Sequence, residues 1–352
     1  VDALSPAPTL PPSVLSPQRH PGVSTDSLSA HQYVLKDNHR RWHIFWNNLK
    51  FHNHITHITP ALYALGSSGA PIRTFYEQDS QIQHSAIESP EAITPGKIVD
   101  HLADERRIMH YLISGHIDDK GTTRVLEEYV FSETYQGQGS QMLNLFMSSL
   151  LHACVHSDCL TTLLTGLAFA GVHDPDGKGI FPPSSFNSGT QASEEQVTQL
   201  LSSLAPNKRE VHGAGKDTHV FDVIARILKD DRLRVNAGKE YKQVVNHCGP
   251  AICEYAAQWT IETTKPGEVE RKLEELSWAC SVLCAVGVDE AKGFTAEFFL
   301  MRLVTSSPFL PSLITYLVPC SRALLLRGYP STVLSWWVGR GAWLTLFEYQ
   351  IV

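Results

Sequence analysis

At 352 residues, with 43% hydrophobic and 18% charged side chains, the chain has the balance of a globular protein and is long enough to bury a core without metals or disulfides. Its formal net charge of −7 and the lack of a basic stripe exclude a general nucleic-acid binder, because phosphate contacts need clustered Lys and Arg. The seven cysteines are odd in number and never form a CxxC pair, so buried, reduced thiols are expected instead of a disulfide framework or a zinc ribbon.

In chain order, residues 1–30 are rich in Pro and Ser and lack periodicity, which predicts an extended lead-in to a helical domain covering 31–352. Pro6, Pro8, Pro11, Pro12 and Pro17 fall where a signal peptide would need an unbroken apolar stretch. No apolar run reaches the roughly 18 residues of a membrane span, so a cytoplasmic protein without membrane contact is the expectation.

From Ser29 to Asn48 the pattern is amphipathic, with a dense aromatic patch at Trp42-His-Ile-Phe-Trp46. Phe51-His-Asn-His-Ile-Thr-His57 follows, then Pro60, which predicts a kink or a new start, and Ala61 to Leu65 with Gly66 as a helix stop. Further helices are predicted over Asp104 to Ile113, Arg124 to Phe131, Gln141 to His156 and Leu160 to Ala170. Turn formers between Asp174 and Gln191 predict a surface loop, a candidate lid. Helical periodicity resumes at Glu194 and continues over Phe221 to Leu228, Tyr241 to Thr263, Glu268 to Val286, Thr295 to Ser306, Pro311 to Leu317 and Tyr329 to Leu346. With no period-two alternation and no repeat, the prediction is all-α: a single large helical domain with long surface loops.

The 17 histidines are informative through their placement. His152 and His156 stand at i and i+4 on a predicted helix, and His54 and His57 at i and i+3, so each pair shares a helix face and can reach one metal ion. The competing reading of either pair is two hydrogen-bonded histidines with no metal. Imidazole suits Fe, Zn, Cu or Ni, and the absence of HExxH lowers hydrolase readings. An anionic ligand would come from Asp289, Glu290 or Glu297, or from Lys292 as a carbamate, against which stands an ordinary solvated lysine. Gly213-Ala-Gly215 lacks the third glycine of a dinucleotide fingerprint, and neither a P-loop nor a nucleophile elbow is present. Trp42, Phe45, Trp46, Trp336 and Trp337 could line a flat apolar pocket, although core packing also accounts for them.

Trp42-His-Ile-Phe, Phe51-His-Asn-His-Ile-Thr-His-Ile and Ala61-Leu-Tyr-Ala-Leu-Gly resemble the opening block of the questin oxidase-like family. Val125-Leu-Glu-Glu-Tyr-Val-Phe131, Leu151-His-Ala-Cys-Val-His156, Gly166-Leu-Ala-Phe-Ala-Gly-Val-His173 and Phe298-Phe-Leu-Met-Arg-Leu-Val-Thr-Ser-Ser307 continue the similarity in the same order, over roughly residues 40–345. The resemblance implies a fungal secondary-metabolite enzyme that opens an anthraquinone ring, described in the family as a Baeyer-Villiger oxidation with reduced nicotinamide. Three departures stand out: Ile58 and Arg302 occupy positions where the family often has histidine, and a Gly-Tyr-Gly-rich stretch after His156 is missing.

The expectation is therefore a non-haem Fe(II) oxygenase acting with dioxygen on a small planar aromatic polyketide. His54, His57, His152 and His156 would hold the iron, an anionic ligand from the Lys292 region would complete the shell, and His173 would serve acid-base work. One alternative is an NADPH- or flavin-assisted monooxygenase in which the histidines act as acid and base. Another is a non-catalytic metabolite-binding protein.

Overall fold

A computed structural model describes residues 7–11, 13–91, 94, 97–104, 121–136, 141–150, 166–168, 170–172, 179–181, 218–235, 240–261, 265–285, 288–289, 293–294 and 298–341. The fold is all-α, as its periodicity predicts. The exception among the described residues is a four-residue antiparallel ladder, β1 (Val288–Asp289) and β2 (Gly293–Phe294), which pairs Val288 with Phe294 and Asp289 with Gly293.

Helix α1 runs Thr25–Arg41 and starts at a capping box in which Ser24 Oγ accepts from Ser27 N at 3.1 Å and Ser27 Oγ accepts from Ser24 N at 2.9 Å. The extended lead-in thus gives way to helix at Thr25, before the predicted boundary at residue 30. Its buried residues Ser27, Ala30, His31, Val34, Leu35 and Asn38 follow the spacing of one helix face. That face packs on α2 (Ile55–Ala64) and α3 (Gly69–Asp79) around a small core of Ala30, Val34, Ile55, Tyr63, Ile72 and Tyr76. Helix α2 begins at Ile55 and runs through Pro60, so the proline neither starts nor ends it.

The stop after α2 is built as the sequence predicts. Gly66 adopts φ +79°, its N–H reaches Tyr63 O at 3.0 Å and the Ser67 N–H reaches Leu62 O at 3.0 Å, which is a Schellman closure. The lead-in crosses this turn so closely that a Cβ on Gly66 would lie 2.0 Å from Pro21 O. It is held further by His20 N on Ala64 O at 2.7 Å, by Arg19 over the Tyr63 ring and by Ser312 Oγ on Ser16 Oγ at 2.6 Å.

The larger core is built from α4 (Gly121–Leu126), extended by a π-helical turn over Glu127–Phe131, then α5 (Gln141–Leu150), α6 (Val220–Ile227), α7 (Tyr241–Ala256), α8 (Glu268–Ala285), α9 (Phe298–Ser306), α10 (Leu310–Tyr316) and α11 (Pro319–Gly339). Helix α11 is buried on nearly every side and packs along α7. It starts ten residues before the predicted Tyr329, because a helix buried on nearly every side carries no amphipathic stripe to mark its beginning. Helix α7 ends at Ala256, short of the predicted Thr263. The helices predicted around 104–113 and 160–170, the loop at 174–191 and the resumption at Glu194 lie wholly or largely outside the described residues.

A buried ion pair within α8 is tied to neighbouring segments by hydrogen bonds. Lys272, with no exposed surface, places Nζ 3.1 Å from Glu275 Oε2 and donates to Thr218 O at 3.0 Å, while its ammonium stands 5.4 Å from the Trp259 ring centre. Glu275 Oε1 in turn accepts from Val220 N at 2.6 Å and Trp259 Nε1 at 2.9 Å.

Candidate functional site

The segment before α2 is fixed by Asn53, a buried polar residue that the spacing of the histidines does not flag. Asn53 Nδ2 donates to Asn38 Oδ1 at 2.9 Å and to His43 O at 3.1 Å, and Asn53 Oδ1 accepts from Ile55 N at 3.0 Å. The side chain ties the start of α2 to α1 and to the strand-like bridge between Phe45 and His52. An Asn two residues before a helix start is the signal that could have found it, because its short amide mimics a backbone turn.

Held in this way, His54 and His57 meet across the first turn of α2. Their Nδ1 atoms are 3.3 Å apart, with ring centroids at 5.4 Å and planes inclined at 63°. His57 is buried and His54 keeps access to solvent. Desolvation by the surrounding protein, and after it the charge of Arg302 on α9, hold the His54 pKa below the ordinary histidine value, so its imidazole is neutral at pH 7. The other histidines of the block do structural work. His43 Nδ1 accepts from Phe45 N at 3.2 Å, His52 stacks on Phe45 at 5.8 Å and His31 packs on Tyr63 at 5.0 Å.

Arg302 opens onto a ladder of half-buried rings. Its guanidinium carbon is 5.1 Å from the Phe299 ring centre, and that of Arg340 is 4.4 Å from the same centre. Phe299 stacks on Trp336 at 5.5 Å and 12°, and Trp336 stacks on Tyr241 at 4.9 Å and 28°. Tyr241 Oη donates to Asn144 Oδ1 at 3.1 Å, fixing the far end. Of the aromatics singled out in the sequence, Trp336 therefore joins a ladder, Trp337 and Phe45 are core residues, Trp42 donates to Tyr76 Oη at 3.0 Å, and Trp46 packs on Phe51 at 5.9 Å.

Two of the expected metal ligands, His54 and His57, come together; His152, His156, Lys292 and the acid-base candidate His173 lie outside the described residues. Among the described residues no group of three His, Cys, Asp or Glu could hold a metal ion. The 3.3 Å between the two Nδ1 atoms suits two nitrogens about 2.1 Å from a shared ion, and it suits a hydrogen bond between them equally well. The positive charge of Arg302 opposes a second cation there. The pair thus offers two of the positions a metal would need.

Of the described cysteines, Cys248, Cys280 and Cys284 are buried as expected, and Cys320 is exposed. Cys248, Cys253, Cys280, Cys284 and Cys320 are free, and burial pushes Cys253 and Cys280 up to about 12, which keeps both as inert thiols. No helix among the described residues is long and apolar enough to cross a membrane.

A helical protein with a histidine pair at a helix start, one ring of it neutral and open to solvent, and an aromatic ladder linked to it through Arg302 belongs to a class in which side chains on converging helices build the site. The family model described as questin oxidase-like matches residues 51–348, and the chain belongs to that family. The chain is 23% identical over 350 residues to a questin oxidase of Aspergillus terreus, covering 93% of this chain and 74% of that protein. It is 22% identical over 310 residues to a Baeyer-Villiger oxidase of Pestalotiopsis microspora and 25% identical over 301 residues to a Baeyer-Villiger oxidase of Pestalotiopsis fici. These alignments cover 82% and 81% of this chain, but only 64% and 62% of the relatives, so the chain spans just under two thirds of their length.

Proposed function

We propose that the protein is an oxidoreductase that inserts one oxygen atom beside a ring carbonyl of a fused-ring aromatic polyketide of the questin type, in fungal secondary metabolism. Membership of the questin oxidase-like family over residues 51–348 carries this reading, and the names of the relatives, questin oxidase and Baeyer-Villiger oxidase, set its chemistry. The carbon–carbon bond next to the carbonyl breaks, carbon–oxygen bonds replace it, and the second atom of dioxygen leaves as water. The two electrons this requires come from a reduced nicotinamide such as NADPH.

This chain's own residues would bind and orient the substrate and handle protons. His54, neutral and open to solvent, is a proton acceptor, and His57 behind it holds the first ring in place. The flat rings of Phe299 and Trp336 suit a planar guest by stacking. Reduced, inert thiols and a need for NADPH suit a cytoplasmic setting.

A second reading, the non-haem Fe(II) dioxygenase, is favoured by one observation, the Nδ1 separation of 3.3 Å between His54 and His57. In that reading His152, His156 and a ligand at Lys292 complete the shell, His173 assists with protons, and bound iron supplies the one-electron chemistry that dioxygen requires. Oxygen uptake by the purified protein with questin separates the readings. Dependence on NADPH, unaffected by a chelator, supports the monooxygenase; loss with chelator and return with Fe(II), without NADPH, supports the iron reading. No questin-dependent uptake under any of these conditions would leave the metabolite-binding alternative.

A further inference from the structure

We propose that a groove along the outer face of α8 docks an extended basic segment of a partner protein, with two cationic side chains two residues apart and an apolar side chain two residues beyond. The groove holds about 1090 Å³ and is lined along this helix from Gly267 to Ser281. At about 1.5 Å per residue that stretch is about 21 Å long, which is the span of about six residues of extended chain. Such a length suits a peptide strand and not a compact small molecule. None of the lining residues belongs to the His54–His57 pair or to the ring ladder.

Glu270, Glu274 and Trp278 follow one another at i, i+4 spacing, so a single exposed stripe of α8 carries all three into the groove. Trp278 is 63% exposed, although tryptophan is highly buried on average. Among the described residues its ring stacks on no other, and Glu270 and Glu274 make no hydrogen bond or ion pair. The other charged side chains of the lining are engaged: Arg271 lies 2.8 Å from Glu268 Oε1 and 3.5 Å from Glu275 Oε2, and Glu275 lies 3.1 Å from Lys272. Two unpaired carboxylates therefore set the sign of the surface. They repel phosphates and acidic lipid headgroups, and in a chain of net charge −7 they oppose a second copy, whereas Lys or Arg side chains complement them.

Spacing sets the register. Carboxylates one helical turn apart are separated by about 6 Å along the axis, and alternate residues on one face of an extended strand by about 6.6 Å. Trp278 stands one turn further on. Beside it, Ser277 Oγ lies 3.3 Å from Ser307 Oγ, which brings Pro308 to that end of the groove and fixes its wall. The lead-in adds Leu15 as an apolar lining residue, held by the 2.6 Å hydrogen bond from Ser312 Oγ to Ser16 Oγ. An apolar side chain two residues past the second cation would meet the Trp278 indole and Pro308.

The test uses the full chain and fluorescein-labelled peptides followed by fluorescence anisotropy. The probe Ser-Lys-Ser-Lys-Ser-Leu-Ser should bind saturably, and more weakly as salt rises. Glutamate in place of both lysines should abolish binding. Adjacent lysines, as in Ser-Lys-Lys-Ser-Ser-Leu-Ser, should weaken it about threefold, because one cation then faces away from the carboxylates. Trp278→Ala should weaken binding of the first probe by about tenfold or more, as loss of an interface anchor does, and Glu270→Gln and Glu274→Gln by about threefold each. All three positions are exposed, so the variants leave the core intact. Equal binding of the lysine and glutamate peptides, no saturation at about 1 mM peptide, or an unchanged Kd in Trp278→Ala would overturn the proposal. A concentration-dependent dimer that Trp278→Ala dissociates would assign the groove to a second copy and overturn it as well.

Discussion

Glu275 offers the sharpest test of how the larger core is held. Glu275→Leu removes the carboxylate that lies 3.1 Å from Lys272 Nζ, an ammonium with no exposed surface, and the acceptor of the N–H groups of Val220 and Trp259. Breaking a buried ion pair from one side costs about 3–5 kcal/mol, and each buried donor left unsatisfied adds about 1–3 kcal/mol. The total approaches the whole stability of a typical domain, about 5–15 kcal/mol. Glu275→Gln keeps an oxygen for the two donors and removes the carboxylate charge facing Lys272, so about 3–5 kcal/mol of loss should remain. Combining Glu275→Gln with Lys272→Met removes the buried lysine charge as well, and the double variant should recover to within about 1–2 kcal/mol of the parent. Urea unfolding followed by tryptophan fluorescence reads all three. If Glu275→Gln costs less than about 1 kcal/mol, or if the double variant is no better than the single, the Lys272–Glu275 charge pair does not stabilise the core in the way described.

Other outcomes follow from single contacts. Asn53→Ala removes three buried hydrogen bonds and should cost about 2–3 kcal/mol in thermal unfolding, with oxygen uptake falling further than stability as the His54–His57 pair loses its register. Gly66→Ala should destabilise more than Gly121→Ala: both have positive φ, costing about 1–2 kcal/mol, but only at Gly66 does the new Cβ meet a backbone oxygen, Pro21 O at 2.0 Å. His54 is protonated less readily in the folded chain than in the unfolded one, so its contribution to stability is flat above pH 6.5 and falls below it, where the unfolded state takes up the proton first. Arg302→Gln should move the His54 titration, followed by NMR, part of the way back towards its ordinary value, because burial remains the larger cause.

Local signals carry most of the helix assignments. The Ala61 to Gly66 run predicts a stop that the Schellman closure fulfils, and the i, i+3 spacing of His54 and His57 correctly brings their rings together. The start of α1 is less legible, because its capping box uses Ser27 where Glu or Gln would be the usual sign. Helix α11 reads ten residues short, since its buried residues do not keep to one face and Pro330 looks like a start when it lies within the helix. The ladder of Tyr241, Trp336 and Phe299 is not legible at all. Its rings come from three helices, and only the packing of α7, α9 and α11 brings them together. Asn53 escapes notice beside His54, which attracts attention as a ligand.

Whether one atom of dioxygen enters the substrate is read by mass spectrometry of the product formed from questin under 18O2 with NADPH. The product should carry one heavy oxygen atom, with the other recovered as water. Two heavy atoms in the product, or none, would contradict it.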